Sequence, residues 1–207
     1  MDLRKERKKT HWFKRMEQMH PYQTLIYLAM FSSGLIFLFL TLSFIFSQSE
    51  TNSFAQYKIP KPFIISSLIL FGSAFISEKI LPAFLAHDLK KTKINLVYTL
   101  FLGLSFTAFQ FKGWEELSNS GVDFTGLPAG SFLYLLSGIH LVHLTGAMIY
   151  ALVLLLLIYN SEKDEVKTLV LLTNPYEKMK LELFIIYWKF MDIVWLILFG
   201  LFLWVLQ

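Results

Sequence analysis

The sequence predicts an all-α membrane protein, a bundle of five transmembrane helices with a cytoplasmic N-terminus and a periplasmic C-terminus. Three observations predict it: an apolar composition, five apolar windows of bilayer length, and basic residues gathered on one side of those windows.

Of 207 residues, 55% are hydrophobic and only 16% charged, and the mean hydropathy is +0.53. An ordinary soluble domain is far more polar. Transmembrane strands would read as short segments of alternating polarity, whereas these runs are long and apolar on all sides. Cysteine is absent, which removes disulfides, thiolate ligands, iron–sulfur clusters and cysteine nucleophiles. The net charge of +4 does not point to nucleic acid, because the basic residues flank apolar runs instead of interleaving with aromatics on a soluble face.

A helix needs roughly 20 apolar residues to cross about 30 Å of hydrocarbon. Five windows qualify: Tyr22 to Ser47, Pro62 to Pro82, Ile94 to Phe111, Gly130 to Tyr159 and Leu181 to Leu206. Pro60 and Pro62 suit the start of the second, where missing donors cost nothing, and Pro82 closes it. Pro128, between two glycines in the stretch Gly121 to Gly130, marks an irregular connector before the fourth. The chain therefore divides into residues 1–21, a basic segment, and residues 22–207, the helix bundle. Trp12, Phe13, Met16 and Met19 fall near helical spacing among the basic residues, as in an amphipathic segment on an anionic inner leaflet or in a plain basic tail. The apolar run after Pro21 is too long for the core of a signal peptide and is read as a span.

Fifteen Lys and Arg flank one side: seven between Arg4 and Arg15, then Lys79, Lys90, Lys91, Lys93, Lys163, Lys167, Lys178 and Lys180. The other side has Lys58, Lys61 and Lys112, and Lys189 lies inside the fifth span. Positive flanks stay in the cytoplasm, which sets the orientation.

Ionisable groups inside spans are costly and serve packing or function. His140 and His143 share one face of the fourth span, and Lys189 and Asp192 one face of the fifth, at similar depth because the two run antiparallel. These four are expected to form a structural polar cluster, with Asp192 as an anchor between the two helices. Glu78 reaches the inner interface by extending its side chain. Two imidazoles one turn apart complete neither a zinc site nor an axial haem pair, and His11, His20 and His87 lie outside the spans, so no catalytic residue, metal site or cofactor site is expected in this chain. Trp188 and Trp195 read as packing anchors, and Ser137, Gly138, Thr145, Gly146 and Ala147 as a small-residue face that allows close helix contact. Glu115, Glu116 and Asp123 read as a solvated acidic patch.

Gly138-Ile139-His140-Leu141-Val142-His143-Leu144-Thr145-Gly146 resembles the Gly-Phe-His-Gly-Leu-His-Val-x-x-Gly segment of subunit III of the haem-copper oxidases. About forty residues on, Tyr187-Trp188-Lys189-Phe190-Met191-Asp192-Ile193-Val194-Trp195-Leu196 resembles that family's Tyr-Trp-His-Phe-Val-Asp-Val-Val-Trp-Leu segment. Gln110-Phe-Lys-Gly-Trp114 is similar to its Gln-x-x-Glu-aromatic segment, and five spans match its shorter bacterial forms. The chain departs from the family at Ser33 and Gly113, where carboxylates are usual, and at Lys189, where histidine is usual. Proton-related roles of those acids do not transfer.

The resemblance implies a subunit without redox centres in a proton-pumping, oxygen-reducing cytochrome c oxidase of the bacterial inner membrane. Haem and copper would reside in the partner catalytic subunit. Oxidase subunits I and II, structural phospholipids and a larger respiratory supercomplex are the implied partners. A quinol oxidase or nitric-oxide-reductase-associated homologue is the near alternative. From another class, a small haem-binding membrane protein would show haem absorption, and a transporter would show repeats and broken helices, neither of which is read in the sequence.

Overall fold

A computed structural model describes residues 19–48, 59–125 and 128–205. The amphipathic reading of the N-terminal segment falls almost wholly outside the described residues. Within them every regular element is helical: α1 Pro21–Gln48, α2 Lys61–Ser77, α3 Ile80–Leu85, α4 Leu89–Asn119, α5 Pro128–Ser161, α6 Glu165–Thr173 and α7 Pro175–Val205. They form five helices long and apolar enough to cross a membrane, with α2 and α3 counting as one span. All five expected spans are present, and α4 extends well beyond both ends of the apolar window Ile94 to Phe111.

Local chemistry sets the helix ends. Pro62 occupies the first turn of α2, where a missing N–H costs nothing. The Asp88 carboxylate accepts from Lys91 N at 2.9 Å and caps α4. Gly121 supplies the positive φ of 80° that ends α4, with Gly121 N donating to Ser118 O and Val122 N to Leu117 O. Asp164 caps α6 through Val166 N at 2.9 Å. That short helix lies between the fourth and fifth apolar windows and exposes Val166, Leu169 and Val170.

The second span is broken, contrary to the expectation of unbroken helices. Glu78 and Lys79 form a turn between α2 and α3. Pro82 is the cause: its ring has no N–H for the Glu78 carbonyl four residues back and clashes with it. Lys79 O instead accepts from Ala83 N at 3.3 Å and from the Asn95 amide of α4 at 3.2 Å. The span then continues to Leu85, past the expected stop at Pro82.

Helix α7 is the hub of the bundle, packing against α1, α2, α3 and α5, while α4 rests on α2 and α5. Among the described residues helix α1 packs against α5 and α7 and keeps most of its surface open. Trp188, Trp195, Phe106 and Phe184 are fully buried in the main core.

Candidate functional site

Serines of α2 build a polar seam that holds α7 against the bundle. In that apolar helix Ser67 Oγ donates to Phe63 O at 2.7 Å and Ser73 Oγ to Leu70 O at 2.8 Å. A hydroxyl whose proton is committed to its own backbone presents lone pairs outward. The indole N–H of Trp195 fills one such acceptor at Ser67, at 2.9 Å, and Trp188 fills the other at Ser73, at 3.1 Å. Ser66 repeats the device toward α4, accepting from Gln110 Nε2 at 2.9 Å. The α4–α5 contact uses it again: Trp114 donates to Ser137 Oγ at 3.0 Å, and Ser137 donates to Leu133 O at 2.6 Å. Tyr134 adds its hydroxyl between the carbonyls of Trp114 and Val122. Each of these indole, amide and phenol donors thus meets an acceptor in a medium with no water to substitute.

The structure places the ionisable groups on separate contacts instead of in one cluster. His143 Nδ1 donates to Ile139 O at 2.8 Å, which leaves Nε2 to accept from the Ser33 hydroxyl of α1 at 3.0 Å. His140 is fully buried among the rings of Phe37, Phe106 and Trp195. Lys189 turns away from Asp192 and pairs with Glu78 at 2.6 Å. Expected as an anchor to the histidines or to Lys189, Asp192 makes neither contact. Ser73 is its polar neighbour, but the Ser73 proton points to Leu70 O, and both carboxyl oxygens lack a hydrogen bond. The reason is rotational: equal depth brings two helices' residues level, but only the facing angle decides whether they touch.

Of the remaining motif positions, Gly138 lies against the Trp114 ring, 3.9 Å from where a β-carbon would stand, whereas Gly146 has no neighbour within 4 Å. Ala147 beside it is buried in the main core, so the small-residue face packs at Ser137, Gly138 and Ala147 but not at Gly146. Glu115, Glu116 and Asp123 are exposed, as expected. Sequence reasoning passed over Ser66, Ser67 and Ser73; four serines in the 17-residue α2 are the signal that marks them. Glu78, read as reaching the inner interface, instead pairs with Lys189. Among the described residues no three His, Asp or Glu side chains come together in a way that would hold a metal ion.

The departures at Ser33, Gly113 and Lys189 each have a structural counterpart. Ser33 bonds His143, and Lys189 meets Glu78. A β-carbon at Gly113 would fall 2.3 Å from the Phe63 ring, so α2 fills the space that a side chain there would need.

This architecture defines an integral membrane helix bundle held together by buried tryptophan–serine, glutamine–serine and histidine–serine contacts between helices. The chain belongs to the cytochrome c oxidase subunit III family, whose model matches residues 23–206. A probable quinol oxidase subunit 3 of Staphylococcus aureus (strain USA300) is 26% identical over 144 residues, 69% of this chain and 66% of that protein. A probable cytochrome c oxidase subunit 3 of Mycobacterium bovis is 28% identical over 133 residues, 64% of this chain and 61% of that protein. The matched stretch thus spans just under two thirds of these relatives' length. The resemblance read from residues 138–146 and 187–196 holds at the level of the family.

Proposed function

We propose that this chain is the subunit III of a bacterial haem-copper terminal oxidase, lying in the inner membrane with its N-terminus in the cytoplasm and its C-terminus in the periplasm. The observation that carries this reading is the pair of Trp–Ser bonds seating α7, the helix with one of the two family motifs, against α2. It carries no redox centre of its own. Its role is to stabilise the catalytic subunit that holds haem and copper, together with subunit II, and to retain phospholipids at the boundary. Tyr159, ringed by Lys93 and Lys163 at one end of the bundle, is suited to an anionic headgroup. Cytochrome c is the electron donor in this reading. Quinol is the second reading, favoured by the name of the Staphylococcus relative.

Depletion tests the role. Removing this chain from the purified complex should leave the visible haem spectrum unchanged and shorten the time over which oxygen reduction is sustained. Loss of haem absorption with the chain would contradict it. Oxygen uptake with reduced cytochrome c against that with a quinol decides the donor.

A further inference from the structure

The Glu78–Lys189 pair differs from the other ion pairs in where it faces. Lys93–Glu162, Lys180–Glu177 and Lys178–Glu182 lie toward the helix ends, where charged heads reach water. Lys189 stands about 21 Å along α7 from Pro175, and Glu78 about 11 Å inside the end of the span that closes at Leu85, taking 1.5 Å per residue. Yet the pair is on the outer surface of the bundle, with side chains 40% and 54% exposed.

Glu78, Leu81, Pro82, Glu182, Ile186 and Lys189 line a cleft of about 510 Å³ between α2–α3 and α7. Glu182 at its lip is matched by Lys178 at 3.4 Å. Among the described residues the deeper pair has no ion-pair partner beyond itself, and the helix break at Glu78–Lys79 adds a carbonyl that Pro82 cannot satisfy. Hydrocarbon chains offer no hydrogen bonds to the outward half of this set. Because Glu78 and Lys189 neutralise each other, a charged partner would bring an uncompensated charge. An uncharged group that both donates and accepts fits the demand.

We infer that the cleft between α2–α3 and α7 is the face on which a neighbouring oxidase subunit packs, through a transmembrane helix presenting an uncharged hydrogen-bonding side chain to Glu78 and Lys189. This rests on the reading of the chain as an oxidase subunit.

A photo-crosslinking residue at Ile186, inside the cleft, tests it against the same residue at Phe101, on the open face of α4. In intact membranes the Ile186 position should crosslink to a second oxidase subunit at least fivefold more than the Phe101 position. Adducts with lipid alone, or equal yields at both positions, in a complex that still purifies whole would overturn the docking face and leave the subunit reading standing. Rapid labelling of Ile186→Cys by a water-soluble maleimide in the assembled complex would also overturn it, since the cleft would be open to water. If no oxidase subunit co-purifies with the chain, both fail.

Discussion

Trp195 of α7 hands its buried N–H to the Ser67 hydroxyl of α2 at 2.9 Å, while that hydroxyl is itself tied to Phe63 O. The same relation recurs at Trp188 and Ser73, near the helix repeat, so α2 and α7 are locked in register by two bonds that share a single design.

Ser67→Ala should therefore leave an indole N–H without an acceptor and cost about 0.6 to 1.7 kcal/mol, the range of intramembrane hydrogen-bond couplings. A double-mutant cycle with Trp195→Phe, read by unfolding in detergent, isolates the term. Strict additivity of the two substitutions would remove the bond from the account.

The Ser33–His143 bond is one of few polar ties of α1 to the rest. Ser33→Ala should loosen that helix alone: a crosslink between cysteines at Gly34 and Phe190, which lie face to face, should form more slowly, while the Trp–Ser seam stays intact. The same helix contains no Asp or Glu, so a hydrophobic carbodiimide should leave the peptide spanning residues 21–48 unmodified by mass spectrometry.

Asp192 has no cation or donor on it. Replacing an unbonded buried polar group by an apolar one of similar volume is close to neutral, so Asp192→Leu and Asp192→Asn should agree in stability within about 1 kcal/mol. A much larger loss for the leucine variant would mean that the carboxyl anchors this chain to a partner after all.

At the start of α4, the Lys91 backbone N–H and then its ammonium hold the Asp88 carboxyl below its usual range. A carboxyl with a depressed folded value adds stability above its unfolded value and loses it as pH falls through the folded one. Protection of the Lys91 and Thr92 amides, relative to their intrinsic exchange rates, should thus be full at neutral pH and fall below the ordinary carboxylate range, and Asp88→Ala should show the reduced protection throughout.

Composition and window length made the five spans legible, and the two motifs made the family legible, because both depend on residue type along one helix. Helix partners were not. His143 looked suited to Asp192 and instead bonds Ser33, and Glu78 looked like an interface residue until the Pro82 break and the rotation of α7 set it against Lys189. Depth follows from counting residues; facing angle follows from the packing of every neighbour, and the lone window statistics carry none of it. The serines of α2 were hidden for a different reason, since a hydroxyl in an apolar run reads as incidental until a tryptophan donor is placed beside it.

The C-terminal orientation has its own check. A reporter fused after Gln207 should be active only outside the cytoplasm, as the fifteen-to-three distribution of flanking basic residues requires. A cytoplasmic signal would mean an even number of crossings.

The central claim is that this chain is a cofactor-free subunit of an oxygen-reducing complex. Affinity purification of the tagged full chain in mild detergent, followed by a visible spectrum and peptide mass spectrometry, tests it most directly. The account predicts co-purification of a haem-bearing catalytic subunit, with the haem absorption lost from this chain once the subunits are separated. Recovery of the chain by itself, or haem that stays with it after separation, would contradict the account.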